Sequence, residues 1–201
     1  MAFEIRLATP DDNQAIEELI FRAFEGMELE GRTETREHYL AHLLRNDPAY
    51  IPELDWVLME DQRLFAHIMY SQAKIIHADL SETEVIVFGP LSIDPDHQQR
   101  GIGRQLIAES IYRAQTLGYQ AIVITGHPAY YQALGFVPAS HYGITFMDGS
   151  QSDALLAYEI VAGALTNKAG KWKYADVFDF AETDDVGFNV YQQEFVKKMG
   201  N

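Results

Sequence analysis

The chain contains no cysteine. That excludes disulfides, a cysteine nucleophile and thiolate metal sites. Positive charge is scarce: 15 lysines and arginines against 30 acidic residues leave a formal net charge of −15 over 201 residues. A phosphate backbone recruits lysine and arginine, so nucleic acid is excluded as the expected partner. No apolar run reaches the roughly 18 residues that a membrane-crossing helix needs, so no membrane association is expected. The opening residues, Met1-Ala2-Phe3-Glu4-Ile5-Arg6, lack the basic flank and apolar segment of a secretory signal, which makes the cytoplasm the expected compartment. There is no internal repeat, no low-complexity tract, and no Gly-Lys-Ser or Gly-Lys-Thr of a P-loop. What remains is an ordinary folded composition, 47% apolar and 22% charged, long enough for one sizeable core.

The acidity is uneven. Half of the 30 acidic residues fall within residues 1–61, together with only five of the 15 basic ones. Solubility explains this, and so does an acidic rim that attracts a cationic amine.

Periodicity places the elements. Residues 3–7 alternate as a half-buried strand. Thr9-Pro10-Asp11-Asp12 opens a helix whose core face is Ile16, Leu19, Ile20, Ala23 and Phe24, with Gly26 as its stop. A glutamate-rich connection, residues 25–32, leads to a second helix over about 33–45. Strands follow over 54–60, 63–79 and 84–94. Ile102, Leu106, Ile107, Ile111, Ala114 and Leu117 then recur at helical spacing up to Gly118. Ala121-Ile122-Val123-Ile124-Thr125 is a short buried strand, broken by Gly126-His127-Pro128 before a brief helix through Leu134. A strand opens at Phe136, and residues 155–161 form the last one. From Thr166 the pattern weakens to a basic and then an acidic stretch, read as a solvated tail whose Trp172, Phe178, Phe180 and Phe188 still pack on something.

The stretch from Gly89 to Leu106 reads strand, tight loop, helix, with glycines at the helix entrance. A helix start leaves backbone N–H groups unpaired and its dipole favours negative charge there. Gly101 and Gly103 carry no Cβ, so an anion can approach that backbone. A dinucleotide fingerprint would need glycine at Leu106 and fails. Gln98-x-x-Gly101-x-Gly103 resembles the Gln/Arg-x-x-Gly-x-Gly/Ala pyrophosphate loop of the GNAT acetyltransferases. Tyr131-Gln132-Ala133-Leu134-Gly135-Phe136 resembles the Tyr-x-x-x-Gly-Phe of the same family, one strand later.

That resemblance implies an α/β fold: a GNAT-type mixed, mostly antiparallel sheet with helices on both faces and a splayed central strand pair. It implies an acetyltransferase domain over residues 1–165 and an extension over 166–201 that packs on it. Acetyl-CoA would be the co-substrate, with no metal. Its pyrophosphate would sit on the amides of Gln98, Gln99, Arg100, Gly101, Ile102, Gly103 and Arg104, and its pantetheine arm on Leu91, Ser92 and Ile93. Arg100 and Arg104 either add contacts to phosphate or form a solvated helix face. Tyr131 matches the general acid that protonates the departing thiolate. A phenol with a reference pKa of about 10 stays protonated at neutral pH and can donate. The acceptor would be a small-molecule or peptide amine, and the family admits a homodimer.

The departures are specific. Histone-type members carry a glutamate base where this chain has Val87, and Glu84, Glu25, Glu28 or a chain of waters are the replacements open to it. His127 is read as the cap of the short helix. His38 and His42 stand one turn apart, but Tyr39 occupies the place of the zincin glutamate, so neither hydrolase chemistry nor metal binding is expected. Met27, Trp56, Met59 and Met69 are core or acceptor-pocket lining. The alternative to an N-acetyltransferase is a CoA-binding sensor or interaction module with little turnover.

Overall fold

The computed structural model describes residues 3–26 and 35–200. Met27, Glu28 and the start expected for the second helix at Thr33 lie outside the described residues. The strands are β1 (Glu4–Leu7), β2 (Trp56–Glu60), β3 (Arg63–Ile76), β4 (Glu82–Ile93), β5 (Ala121–Thr125), β6 (Val137–Pro138), β7 (Ile144–Thr145), β8 (Leu155–Glu159) and β9 (Gly170–Tyr174). The helices are α1 (Asn13–Phe24), α2 (Glu37–Leu44), α3 (Ile102–Thr116), α4 (Pro128–Gln132), α5 (Val177–Thr183) and α6 (Asp185–Met199). Strand order is β1-β2-β3-β4-β5-β8-β6, with β9 pairing β3 and β7. The pairings β4–β5 and β7–β9 are parallel, whereas β1–β2, β2–β3, β3–β9, β5–β8 and β6–β8 are antiparallel. This is the mixed, mostly antiparallel sheet that the sequence led us to expect.

Two compact units share the chain: Met1–Met69 with Gly89–Ile107 and Asp176–Asn201, and Tyr70–Phe88 with Ala108–Ala175. In the first, α1 and α2 bury Ile16, Leu19, Ile20, Ala41 and Leu44 with Val57, Leu64 and Met69 of the strands. A second cluster joins Tyr39 and Leu40 of α2 to Ala181 and Phe188 of α5 and α6. In the second unit, Ile122, Val123 and Ile124 of β5 lie opposite Tyr158, Ala157 and Leu156 of β8. Fully buried Tyr70 donates to, or accepts from, Ser110 at 2.8 Å.

Three expectations need correction. The second helix begins at Glu37, because Thr35 and Arg36 stay outside it and Thr35 Oγ1 accepts the Glu37 N–H instead. The long strand ends at Ile76, not 79: His77 and Ser81 close a turn in which Leu80 has a φ of 67°. The tail is ordered secondary structure. Trp172 of β9 is only 2% exposed and faces Ile75 across the ladder, and α5 and α6 bury Ala181, Phe188 and Phe195. Lysines on either side of Trp172 and the acidic run beyond hid these few inward residues from any reading of periodicity. Among the described residues, no helix is long and apolar enough to cross a membrane.

Candidate active site

Strand β4 is 12 residues long, yet its register with parallel β5 is a single pair, Ile86 opposite Ile122. The strand then continues through Gly89, Pro90, Leu91, Ser92 and Ile93. Ser92 is 1% exposed and its Oγ is buried with no hydrogen-bond partner among the described residues. Leu91 and Ile93, at alternate positions, are half-buried.

The turn after the strand is built on Asp94, which is 2% exposed. Its amide donates to Phe65 O at 2.8 Å, and its Oδ1 accepts the Asp96 N–H at 3.1 Å as an N-cap before Pro95. Its Oδ2 lies 3.3 Å from Arg63 Nη2 and 3.7 Å from Arg22 Nη2. His97 stacks on Phe65 at 4.7 Å between ring centroids, with its Nε2 3.3 Å from Glu60 Oε2 and its Nδ1 3.5 Å from Asp94 Oδ1. The Gln98 side chain donates back to Ile93 O at 3.2 Å. This underpinning escaped the sequence reading, although Asp-Pro-Asp is itself a capping signal.

On this base the backbone bends sharply. Gln99 and Gly101 both take left-handed conformations, φ 60° and 79°, and α3 starts at Ile102 with its first bond from Gln105 N to Gly101 O. Gln98, Gln99, Arg100 and Gly101 are exposed, as is Arg104 one turn into the helix. A Cβ on Gly101 would meet nothing within 4 Å. The residues therefore fit a diphosphate group: an open helix N-terminus, with space over a glycine where a ligand oxygen can sit.

Tyr131 lies in α4, after β5. Its ring packs against Phe88 at 5.9 Å, Phe136 at 5.5 Å and Tyr130 at 4.9 Å. Gly126 permits this position, since a Cβ there would stand 2.3 Å from Tyr131 Cε2. Burial, reinforced by neighbouring Tyr130, pushes the Tyr131 hydroxyl well above the usual phenol range. Tyr130 is 38% exposed, so the two adjacent tyrosines do part company. His127 is the N-cap of α4 only through its carbonyl, which accepts the N–H groups of Tyr130 and Tyr131; its side chain makes no capping bond.

Val87, in place of the glutamate base, is 4% exposed and apolar. Glu25 and Glu84 are exposed, and Glu28 lies outside the described residues. His38 and His42 face different partners, Gln192 Oε1 at 2.6 Å and Glu17 Oε1 at 3.4 Å. Among the described residues no group of three or more His, Asp or Glu could hold a metal ion.

Known proteins are similar to this chain in sequence and fold. Residues 56–138 match the model of the acetyltransferase (GNAT) domain. The chain is 27% identical over 176 residues to the uncharacterized N-acetyltransferase YhbS of Escherichia coli K12, covering 87% of this chain and 98% of that protein. The crystal structure of E. coli YhbS in complex with CoA superposes with a TM-score of 0.77 at 25% identity, over 88% of this chain and 92% of the other. A GNAT family acetyltransferase from Brucella melitensis, solved with acetyl-CoA, shares the fold at a TM-score of 0.69 and 23% identity, over 89% and 99% of the two chains. With an open helix N-terminus after the Gln98–Gly101 bend, a strand whose pairing with β5 stops short and a GNAT domain match over residues 56–138, the chain is similar in sequence and fold to the GNAT acetyltransferases.

Proposed function

We propose that the protein transfers an acetyl group from acetyl-CoA to a primary amine by direct attack on the thioester. The observation that carries this reading is the Gln98–Arg104 turn, where two left-handed residues lead into an open helix N-terminus. Leu91, Ser92 and Ile93 extend along the segment that leads into it, and their main-chain groups serve as partners for the pantetheine arm. The CoA and acetyl-CoA in the two related crystal structures support the same donor.

In this reaction a neutral amine nitrogen bonds to the carbonyl carbon and the carbon–sulfur bond breaks. Tyr131 gives its hydroxyl proton to the departing sulfur. The proton shed by the nitrogen restores the hydroxyl through solvent. A phenol held protonated by burial suits the acid role. Val87 offers no carboxylate, so the amine loses its first proton to bulk solvent, a chain of waters or another carboxylate such as Glu84, Glu25 or Glu28.

The test is release of free thiol from acetyl-CoA across a panel of amines covering polyamines, aminoglycosides, amino acids and peptide N-termini. Thiol released in proportion to one amine is the expected result. CoA binding without thiol release from any amine would favour a sensor instead. In parallel, Gly101→Val should weaken CoA binding at least about tenfold by calorimetry, since a β-branched side chain opposes a φ of 79° and occupies the open space. Undiminished affinity would contradict the loop assignment.

A further inference from the structure

A polar cleft of about 330 Å³ lies among the turn after β1, the first turns of α1, the end of α2 and the approach to β2. That volume is within the range of small-molecule sites. Glu17, Arg45, Asn46, Tyr50 and Asp55 are among the residues that line it, all of them in the first compact unit. Hydrogen bonds fix both carboxylates. Glu17 Oε1 accepts from Arg45 Nη1 at 2.7 Å, and its Oε2 accepts from the Tyr191 hydroxyl at 2.9 Å. Asp55 Oδ2 accepts from the Tyr50 hydroxyl at 2.6 Å, and its Oδ1 lies 2.8 Å from His67 Nε2. A carboxylate oxygen has a second lone pair, so both groups keep capacity for a further donor.

Arg45 is the member left incomplete. Its side chain is only 10% exposed, yet Nε and Nη2 are buried with no hydrogen-bond partner among the described residues. These two nitrogens form one edge of the guanidinium, whose parallel N–H groups match the two oxygens of a carboxylate. A charged donor buried without a partner is costly, and a ligand oxygen removes that cost. Two carboxylates against one guanidinium disfavour a phosphate dianion, but they suit a carboxylate that carries its own ammonium. We infer that this cleft binds a free α-amino acid, its carboxylate on the Nε–Nη2 edge of Arg45 and its ammonium toward Glu17 and Asp55. The cleft lies at the Asn13 end of α1, whereas the Gln98–Arg104 turn leans through Asp94 on Arg22. From Asn13 to Arg22 the helix rises roughly 14 Å, so the site is separate from the donor turn and does not rest on the proposed function.

The experiment screens the standard L-amino acids at millimolar concentration for a rise in melting temperature and measures the best of them by calorimetry. The matching amine without the carboxylate and the matching acid without the ammonium are measured beside it. One amino acid should bind, and each truncated analogue should bind at least about tenfold more weakly, because it leaves buried polar groups unpaired. Arg45→Lys keeps the charge but loses the fork, and should weaken the amino acid at least about tenfold. Asn46→Trp, at an exposed residue of the rim, should block binding by filling the cleft. Both variants should still melt cooperatively, and saturating CoA should not displace the amino acid from the wild type. If Arg45→Lys does not fold, the tryptophan variant decides. The inference is overturned if no amino acid binds, if an analogue binds as well, or if folded Arg45→Lys binds undiminished. Displacement by CoA, or acetylation with an unchanged KM in the folded variant, would place the amino acid at the reaction centre and overturn it too.

Discussion

A missing side chain holds Tyr131 where it is. A methyl at residue 126 would overlap the Tyr131 ring at 2.3 Å, so one of the two must shift. Gly126→Ala should therefore turn the hydroxyl away and reduce kcat at least about tenfold, while the KM for acetyl-CoA changes little. Steady-state kinetics with the amine found by the panel checks this. Tyr131→Phe removes the proton itself and should reduce kcat by about 100-fold or more, the usual contribution of a positioned acid. Because burial raises the Tyr131 hydroxyl, it stays protonated and competent through the ordinary alkaline range. The wild-type rate should thus rise as the amine deprotonates and hold its plateau beyond the usual phenol pKa of about 10. A decline below that pH that vanishes in the phenylalanine variant would show the hydroxyl titrating where burial should prevent it.

Two elements depend on charges beneath them. The Gln98–Arg104 turn rests on Asp94, which caps the short turn at Pro95 while Arg63 and Arg22 supply the opposite charge. Asp94→Ala should cost about 1–2 kcal/mol, as lost N-caps do, and should raise the KM for acetyl-CoA more than it lowers kcat. Chemical denaturation and initial rates read the two effects separately. Helices α5 and α6 hang on Arg36. Truncating that buried guanidinium leaves the Ala181 and Glu182 carbonyls without their donor and Asp185 without its counter-ion. Arg36→Ala should destabilise the protein by about 1–3 kcal/mol, chiefly through its lost bonds to the two carbonyls since the Asp185 carboxylate is largely exposed, and hydrogen exchange should quicken first across residues 177–199.

For the molecule as a whole, pH acts through groups placed by the tertiary fold. Tyr39 is pushed up to about 12 by burial and by Asp184, which accepts its hydrogen bond. An unfolded tyrosine ionises near 10, so the folded state binds this proton more tightly. The stabilisation is full below about pH 10 and is lost as pH rises toward 12. Glu17 behaves in the opposite sense. Burial would raise it, but His42, Arg45 and Tyr191 outweigh burial and hold its carboxyl below the usual range. Its contribution is present above an ordinary glutamate pKa and disappears as pH falls through the lowered value. Denaturant midpoints measured from pH 2 to 12 should fall at both ends, and Tyr39→Phe should remove part of the alkaline slope.

The backbone skeleton and the bend before α3 were legible in the residues alone. Strands β1, β4 and β5, helices α1 and α3, and the bend at Gln98–Gly103 rest on local rules: alternation, helical spacing, capping and glycine's tolerance of positive φ. Such rules act over a few neighbours and survive without knowledge of the rest of the chain. Tertiary structure decided what depends on residues distant in sequence. Asp94 meets Arg22 and Arg63, Arg36 meets carbonyls some 145 positions away, and Trp172 finds its place opposite Ile75. Each of these residues is polar or isolated in its own segment, so its local pattern is silent. Only the closing of long loops brings in the partner that gives it a role.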